Sequence, residues 1–268
     1  ITAIDRLSQP MVRNSDGELV VTSWPEAIAA AAAGLSGAKA AVLVGGRATY
    51  EDAYGYSKFA RIALATNDID FRARATSDEE RDFLAAHVAG SSTTYRDIDS
   101  ADHVALIAFE PEEESPIVFL RLNKNYKKRG LKVSAIATKG SIAMDKLKAD
   151  FIKVAPGAEA AAVAGVSLTA KSVILVGERA SESAGLISAA VALAEKSGAK
   201  LAWIPRRAGE RGALEAGAFP TLLPGGRPVA DSAARVDIAA AWGVDSLPAT
   251  PGRTTHQIIE ALGNDELD

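Results

Sequence analysis

Apolar residues recur along the chain in short blocks separated by longer amphipathic stretches. Ala40–Val44 is one block, closed by Gly45-Gly46; others are Val104–Phe109, Lys132–Ala137, Val173–Val176 and Leu201–Ile204. Apolar runs this short, set between helical patterns, read as strands buried in a parallel sheet. The intervening stretches predict helices over about 24–34, 49–64, 115–128 and 183–196. Their ends are marked chemically. Ser23 is placed to cap the first, with Pro25 and the capping-box residue Glu26 in its first turn. Thr49 is placed to cap the second, and Gly130 and Gly198 stop the third and fourth. Pro10, Asp16-Gly17 and the run Leu19–Thr22 predict a small hairpin in an extended lead-in, 1–23. From Pro205 the chain is rich in Gly, Pro and Arg and reads as long loops with short helices, one near 257–262.

Repeated strand–helix–strand units predict right-handed crossovers and a doubly wound parallel α/β fold. There is also an internal echo. Residues 38–49 read AKAAVLVGGRAT and residues 170–181 read AKSVILVGERAS, with seven of twelve positions identical. Either two strand–Gly–helix junctions share a geometry, or two equivalent half-domains flank an inserted unit.

Composition narrows the function. The chain has 268 residues, is 48% hydrophobic and 24% charged, and carries a net charge of -4. That charge gives no general attraction to phosphate backbones, so nucleic acid is not an expected partner. With no cysteine, the chain by itself has no disulfide, thiolate nucleophile or iron–sulfur ligand. No apolar run reaches the roughly 18 residues a membrane helix needs, and no basic-then-apolar leader pattern opens the chain.

Several places could carry chemistry. Gly45-Gly46-Arg47 follows a strand and precedes a helix, where backbone N–H groups could hold a phosphate. The spacing fits neither common phosphate-loop pattern, and Glu51 and Asp52 in the next helical turn would repel an anion. Glu110-Pro111-Glu112-Glu113-Glu114 follows the second strand. It could bind a cation or basic partner, or simply form an acidic helix start. Arg206, Arg207 and Arg211 could form an anion loop, grip an acidic partner or be solvated. His87, His103 and His256 lack metal-ligand spacing, and His103 enters a strand. Trp203 and Trp242 read as core. No catalytic residue stands out.

Several segments together resemble one family. RLSQPMVRNSDGELVVTSWPEAI (Arg6–Ile28) is similar to the opening of molybdopterin oxidoreductases. GGRATYEDAYGYSKFARIALATNDIDFRAR (Gly45–Arg74), ADHVALIAFEPEEESPIVFLRL (Ala101–Leu122) and ADFIKVAPGAEAAAVAGV (Ala149–Val166) resemble later parts of that fold. WIPRRAGERGALEAGAFPTLLPGGRPV (Trp203–Val229) is most like the large iron–sulfur subunit (the G subunit) of bacterial NADH-quinone oxidoreductase, complex I. The resemblance implies a split α/β domain, 24–97 and 168–268, interrupted by a smaller inserted α/β domain, 98–167, with the two echo strands in the split domain. It implies iron–sulfur clusters in an upstream part of the polypeptide and none here. It also implies the other subunits of the complex I peripheral arm as partners, and a cytoplasmic location peripheral to the membrane.

The departures from the family pattern bear on function. Glu110-Pro111 stands where relatives tend to have Asn-Pro, with three more glutamates behind it. Ala137-Thr138-Lys139 replaces a common Asp-Pro-Arg, and Pro156-Gly157-Ala158-Glu159 replaces Pro-Gly-Thr-Asp. Each phosphate–carboxylate pair at about 4 Å and an effective dielectric of about 20 costs ~4 kcal/mol. Gly45, Gly46, Glu110, Pro111, Pro156 and Gly157 are therefore expected to be vestiges of a pterin site, with no cofactor and no metal bound. The alternatives are a pterin-dinucleotide oxidoreductase domain and a stand-alone nucleotide module using Gly45, Gly46 and Gly177.

Overall fold

The computed structural model describes residues 6–268; the first five residues of the expected lead-in lie outside them. The predicted hairpin forms: β1 (Met11–Arg13) pairs antiparallel with β2 (Leu19–Val21). Gly17 turns it at φ +82°, a left-handed conformation that favours glycine. Helix α1 (Trp24–Leu35) starts at Ser23, and Ser23 and Glu26 form a reciprocal capping box. None of its residues is buried. A strand–helix–strand unit follows: β3 (Val42–Leu43), α2 (Tyr50–Ile62) and β4 (Ile69–Asp70). β3 and β4 pair in parallel, and Thr49 Oγ1 accepts from Asp52 N–H at 3.1 Å. Helix α3 (Asp78–Phe83) then runs into a π-helical turn, Leu84–Val88, before α4 (Tyr95–Ser100).

The central sheet is built from 103–204. β5 (His103–Ile107) leads through α5 (Pro111–Glu114) and α6 (Pro116–Arg129) to β6 (Lys132–Ala137). Helix α7 (Ile142–Lys146) leads to β7 (Asp150–Lys153), and α8 (Glu159–Val163) to β8 (Ser172–Gly177). A 3-10 turn, Glu178–Glu182, and α9 (Leu186–Ser197) lead to β9 (Lys200–Ile204). All five strands are parallel, in the order β7-β6-β5-β8-β9.

Alternate residues enter opposite cores, as a strand period of two requires. Val104, Leu106, Val133, Ala135, Val173 and Leu175 pack with Val118, Phe119 and Leu122 of α6 and Met144 of α7. Ala105, Ile107, Ile136, Ile174 and Val176 pack with Val163 of α8 and with Ile187, Ala190 and Leu193 of α9. Full burial of each large aliphatic side chain is worth about 1.5–3 kcal/mol, so the sheet is held from both faces. Phe71, Phe83, Leu84 and Phe219 join the second core, fastening the rest of the chain to that face. The remainder comprises α10 (Glu210–Glu215), the small antiparallel pair β10 (Leu222–Leu223) and β11 (Arg227–Pro228), α11 (Ser232–Trp242) and α12 (Thr255–Gly263).

The protein is α/β with a doubly wound parallel sheet, but the sheet does not stop where the resemblance placed a boundary. The split domain was expected to hold β8 and β9; instead β8 hydrogen-bonds along β5, with Leu106 opposite Leu175. The five-stranded sheet therefore spans 103–204, across the expected boundary at 167/168. The physical reason is that β5, apolar at all but His103, is buried on both faces, so its backbone N–H and C=O groups have no water to bond and are paired by a strand on each edge. The echo strands β3 and β8 consequently lie in different sheets. Helix α9 begins three residues later than expected, because Gly185 at φ +76° separates it from the 3-10 turn. The tail is more helical than its Gly-Pro content suggested, α11 being eleven residues long.

Candidate functional site

The strand order reverses between β5 and β8, so the carboxyl ends of these strands frame the crevice where open α/β sheets hold ligands. A cleft of about 310 Å³ lies there, lined among others by Ala108, Lys139, Pro156, Gly157, Glu159 and Arg179. This is the small end of the range for ligand cavities, roughly 300–1,000 Å³. Ala108, directly after β5, adopts φ +48°, a strained conformation for an alanine.

The cleft offers an anion little net charge. Lys139 and Arg179 are balanced by Glu159 and Glu182, and Arg179 Nε is bound to Glu114 at 2.8 Å. Burial pushes the Glu159 carboxyl upward. Backbone donors and the Ser183 hydroxyl, 2.8 Å away, outweigh burial and hold it below the usual carboxylate range. The Glu110 carboxylate accepts from Ser141 Oγ at 2.7 Å and from Glu113 N–H at 2.7 Å. Glu110 thereby caps the single turn α5, with Pro111 behind it buried. Glu112 pairs with Lys146. The acidic loop is thus a helix start, with the Glu110, Glu112 and Glu114 carboxylates bonded within the chain and Glu113 exposed.

Gly177 and Gly46 face protein, whereas Gly45 and Gly157 border open space. A β-carbon at Gly177 would lie 2.5 Å from the Ala108 carbonyl oxygen, and one at Gly46 would lie 2.6 Å from Glu210 Cγ and 2.7 Å from Arg207 Cδ. Gly209 N–H also donates to the Gly46 carbonyl at 3.0 Å. The space a phosphate would need above Gly46 is occupied by the segment 207–210. Gly45, at φ +75°, makes the turn into it. The structure therefore places Pro156 and Gly157 in the cleft lining, Glu110 and Pro111 at the start of α5, and Gly46 at the 207–210 contact with Gly45 just before it.

Behind this contact lies a buried charge cluster that the sequence pattern did not reveal. Arg72 binds Asp70 through Nε at 3.0 Å and Nη2 at 2.8 Å, and reaches Glu80 at 3.5 Å. Arg74 pairs with Glu80 and, at 3.3 Å, with Glu178. Arg207 bridges Glu178 at 3.4 Å and Glu210 at 3.1 Å. Three guanidinium groups thus face four carboxyls. Burial pushes Glu210 up to about 8, assisted by the neighbouring Glu178 carboxyl. Glu178 is also pushed up by burial. Its contacts with Glu210, the Arg206 N–H, Arg74 and Arg207 win, and it sits below the usual range. Within the Glu178–Glu210 pair the proton therefore sits on Glu210, and burial pushes Glu80 upward as well. A cue was present in the sequence: Asp70, Arg72 and Arg74 alternate, which puts them on one side of an extended chain.

The other expected positions are structural. Arg211 binds Glu215 and Ser91, so with Arg207 it is spent internally and only Arg206 is exposed. His103 meets Ser134 Oγ at 2.7 Å, and burial followed by Lys132 lowers its pKa. His87 stacks on Phe83, and His256 is exposed. Trp203 and Trp242 are buried. Among the described residues no group of three or more His, Cys, Asp or Glu is arranged to hold a metal.

A doubly wound parallel sheet with its cleft at the strand-order reversal defines a dinucleotide-fold α/β protein. The model of the molybdopterin oxidoreductase family matches residues 6–261, and the chain belongs to that family. It is 50% identical over 281 residues to the G subunit of NADH-quinone oxidoreductase from Mycobacterium bovis, covering 99% of this chain and 35% of the relative. It is 48% identical over 297 residues to the protein of the same name in Streptomyces coelicolor, covering 98% of this chain and 35% of the relative. A more distant relative, the F420-dependent formate dehydrogenase subunit alpha of Methanocaldococcus jannaschii, is 29% identical over 59% of this chain and 24% of its own length. The chain spans about a third of the length of the two NADH-quinone oxidoreductase relatives.

Family membership raises the question of a pterin dinucleotide. The residues present do not fit one. Gly46 is covered by Glu210 and Arg207, Gly177 lies against the Ala108 carbonyl, and the cleft has no surplus of positive charge.

Proposed function

We propose that this chain is a non-catalytic scaffold segment of the large iron–sulfur subunit of an NADH-quinone oxidoreductase. It would help build the peripheral arm of a complex that passes electrons from NADH to quinone. Near-half identity to the G subunit of that enzyme over almost the whole chain carries this reading. The geometry supports it, because Glu110, Glu114, Glu159 and Arg179 at the sheet's carboxyl edge bond within the chain. Gly45, Gly46, Glu110, Pro111, Pro156 and Gly157 are then remnants of a cofactor site converted into packing and capping positions. Iron–sulfur clusters belong to other parts of the polypeptide, since this segment has no cysteine. Its partners are the other subunits of the arm, with the segment on the cytoplasmic side and outside the bilayer. Among the described residues no helix is long and apolar enough to cross a membrane.

The test is affinity purification of the native polypeptide through a chromosomal tag. NADH–quinone reductase activity should co-purify with the tag. Isolation of the tagged chain free of any NADH-oxidising assembly would contradict the proposal.

A further inference from the structure

The segment between β9 and α10 is held down by carboxyl groups, and residues 205–210 include no buried apolar side chain. Arg206 N–H donates to Glu178 Oε1 at 2.7 Å. The Arg207 guanidinium reaches Glu178 Oε2 at 3.4 Å and Glu210 Oε1 at 3.1 Å. Both carboxyls are buried, that of Glu210 completely. Each oxygen of Glu178 thus has a donor, but Glu210 Oε2 is buried with no hydrogen-bond partner among the described residues. A buried oxygen without a donor is costly. A proton on Oε2 turns it into a donor toward Glu178. Two carboxyls this close inside a protein hold a proton between them more readily than they both ionise.

The seam that this segment closes is backbone against backbone. Gly209 N–H donates to the Gly46 carbonyl at 3.0 Å, and a β-carbon at Gly209 would collide with the Ala48 carbonyl oxygen. Opening it uncovers little apolar surface, so hydrophobic burial does little to keep it closed. The flanks are fixed independently. Trp203 lies in the core, Arg211 binds Ser91 and Glu215, and the Gly217 carbonyl accepts from Ser57 and Arg61. A stretch anchored at both ends and held in the middle by charges is suited to local opening.

We propose that the Glu178–Glu210 pair is a proton-operated latch: with its proton the pair holds 206–210 across Gly45-Gly46, and loss of that proton releases the segment while the sheet and the rest of α10 stay folded. The groups facing Glu210 set the direction. Burial and the Glu178 carboxyl, from the turn after β8, oppose its ionisation, whereas Arg74, from the stretch after β4, and Arg207 favour it. Arg74 is shared with Glu80 of α3, which also meets Arg72. Helix α2 meets α10 through Tyr50 on Gly212, and Arg47 is exposed. Burial and Glu178 prevail and hold the closed state at about 8, against an ordinary value of 4.5. Lifting the segment into water restores the ordinary value, so opening and proton loss are linked. The latch rests on this chain's own residues and does not depend on the electron-transfer role.

The test is hydrogen exchange on the full polypeptide from about pH 5 to about pH 9, each rate being compared with that of an unstructured peptide at the same pH to remove base catalysis. Protection of the Gly209 amide should fall about tenfold per pH unit up to about pH 8 and then level off, as one linked proton requires. The β5 and β8 amides should stay at least about 100-fold better protected than Gly209 at every pH. In Glu210→Gln the Gly209 protection should not change with pH. In Glu178→Gln, whose amide can donate to an ionised Glu210, the levelling-off should move to lower pH, and this second variant serves if the first does not fold. Gly209 protection that is independent of pH in the parent would overturn the proposal, as would an equal slope in Glu210→Gln or an unmoved levelling-off in Glu178→Gln. So would exchange of Gly209 in step with β5 and β8, since the segment would then open only with the whole fold.

Discussion

Glu210 lies across Gly46: a β-carbon at position 46 would sit 2.6 Å from Glu210 Cγ. In a phosphate-binding turn that space belongs to the ligand. Here it is filled by the first side chain of α10, which is fixed in turn by Arg207. Gly46→Ala should lower stability by about 1–3 kcal/mol, the usual cost of overpacking. Thermal melts measure this, and an unchanged melting temperature would show that the space is free.

The proton on Glu210 makes stability depend on pH. In the folded state its pKa is pushed up to about 8, above the ordinary value of 4.5. The folded state therefore binds more protons than the unfolded state between these values. By linkage, stability contributed by the protonated group is complete below about 4.5 and falls as pH rises through about 8. Glu210→Gln should flatten that decline and leave the variant more stable than the parent at pH 9 by on the order of 1 kcal/mol. Parallel pH slopes for the two proteins would place the proton elsewhere.

Arg61 is 2% exposed and has no carboxylate within ion-pair distance among the described residues. Its guanidinium donates to Asn67 Oδ1 at 2.8 Å, Ser57 Oγ at 2.6 Å, and the carbonyls of Gly217, Phe219 and Leu222 at 2.8, 3.2 and 2.8 Å. Burial lowers its pKa to about 10, and it remains charged at neutral pH. It ties α2 to the segment leading into β10. Arg61→Leu should cost about 3 kcal/mol or more, because several buried carbonyls lose their donors. Denaturant melts read this directly, and a loss below about 1 kcal/mol would contradict the assigned role.

The single sheet over 103–204 predicts energetic coupling across the domain boundary expected from the family pattern. Leu106 and Leu175 are register partners and both fully buried. Each substitution to Ala should cost about 2–5 kcal/mol. The double variant should depart from additivity by at least about 0.5 kcal/mol. Strict additivity would mean that β5 and β8 belong to separate units.

What the sequence revealed and what it hid divide along local and non-local physics. Ser23, Thr49 and Gly130 act within one helical turn, so the helix ends they mark were readable. The apolar run at 173–176 announced a strand, but nothing within it says that β5 is its neighbour. Pairing depends on residues some seventy positions away. The Ala-rich segment 232–242 has few large apolar residues to show a helical period, which is why its pattern suggested loop rather than α11. Pro156 and Gly157 at the cleft, and Glu110 at the start of α5, could be named from family pattern. The Glu178–Arg207–Glu210 cluster could not, because its members come from separate elements and look like ordinary surface charges until the chain is folded. Gly177 shows the opposite error: a glycine after a strand suggests a ligand, yet its partner is the Ala108 carbonyl.

The cleft at the carboxyl ends of β5 and β8 has, on this reading, become structural and holds no pterin dinucleotide. The direct measurement is oxidative release and fluorescence assay of pterin, with molybdenum and tungsten analysis, on the intact complex purified through this chain. Pterin and metal should fall far below one equivalent per chain in a preparation that oxidises NADH with quinone. One equivalent of pterin per chain, lost on substituting residues that line the cleft, would contradict that role.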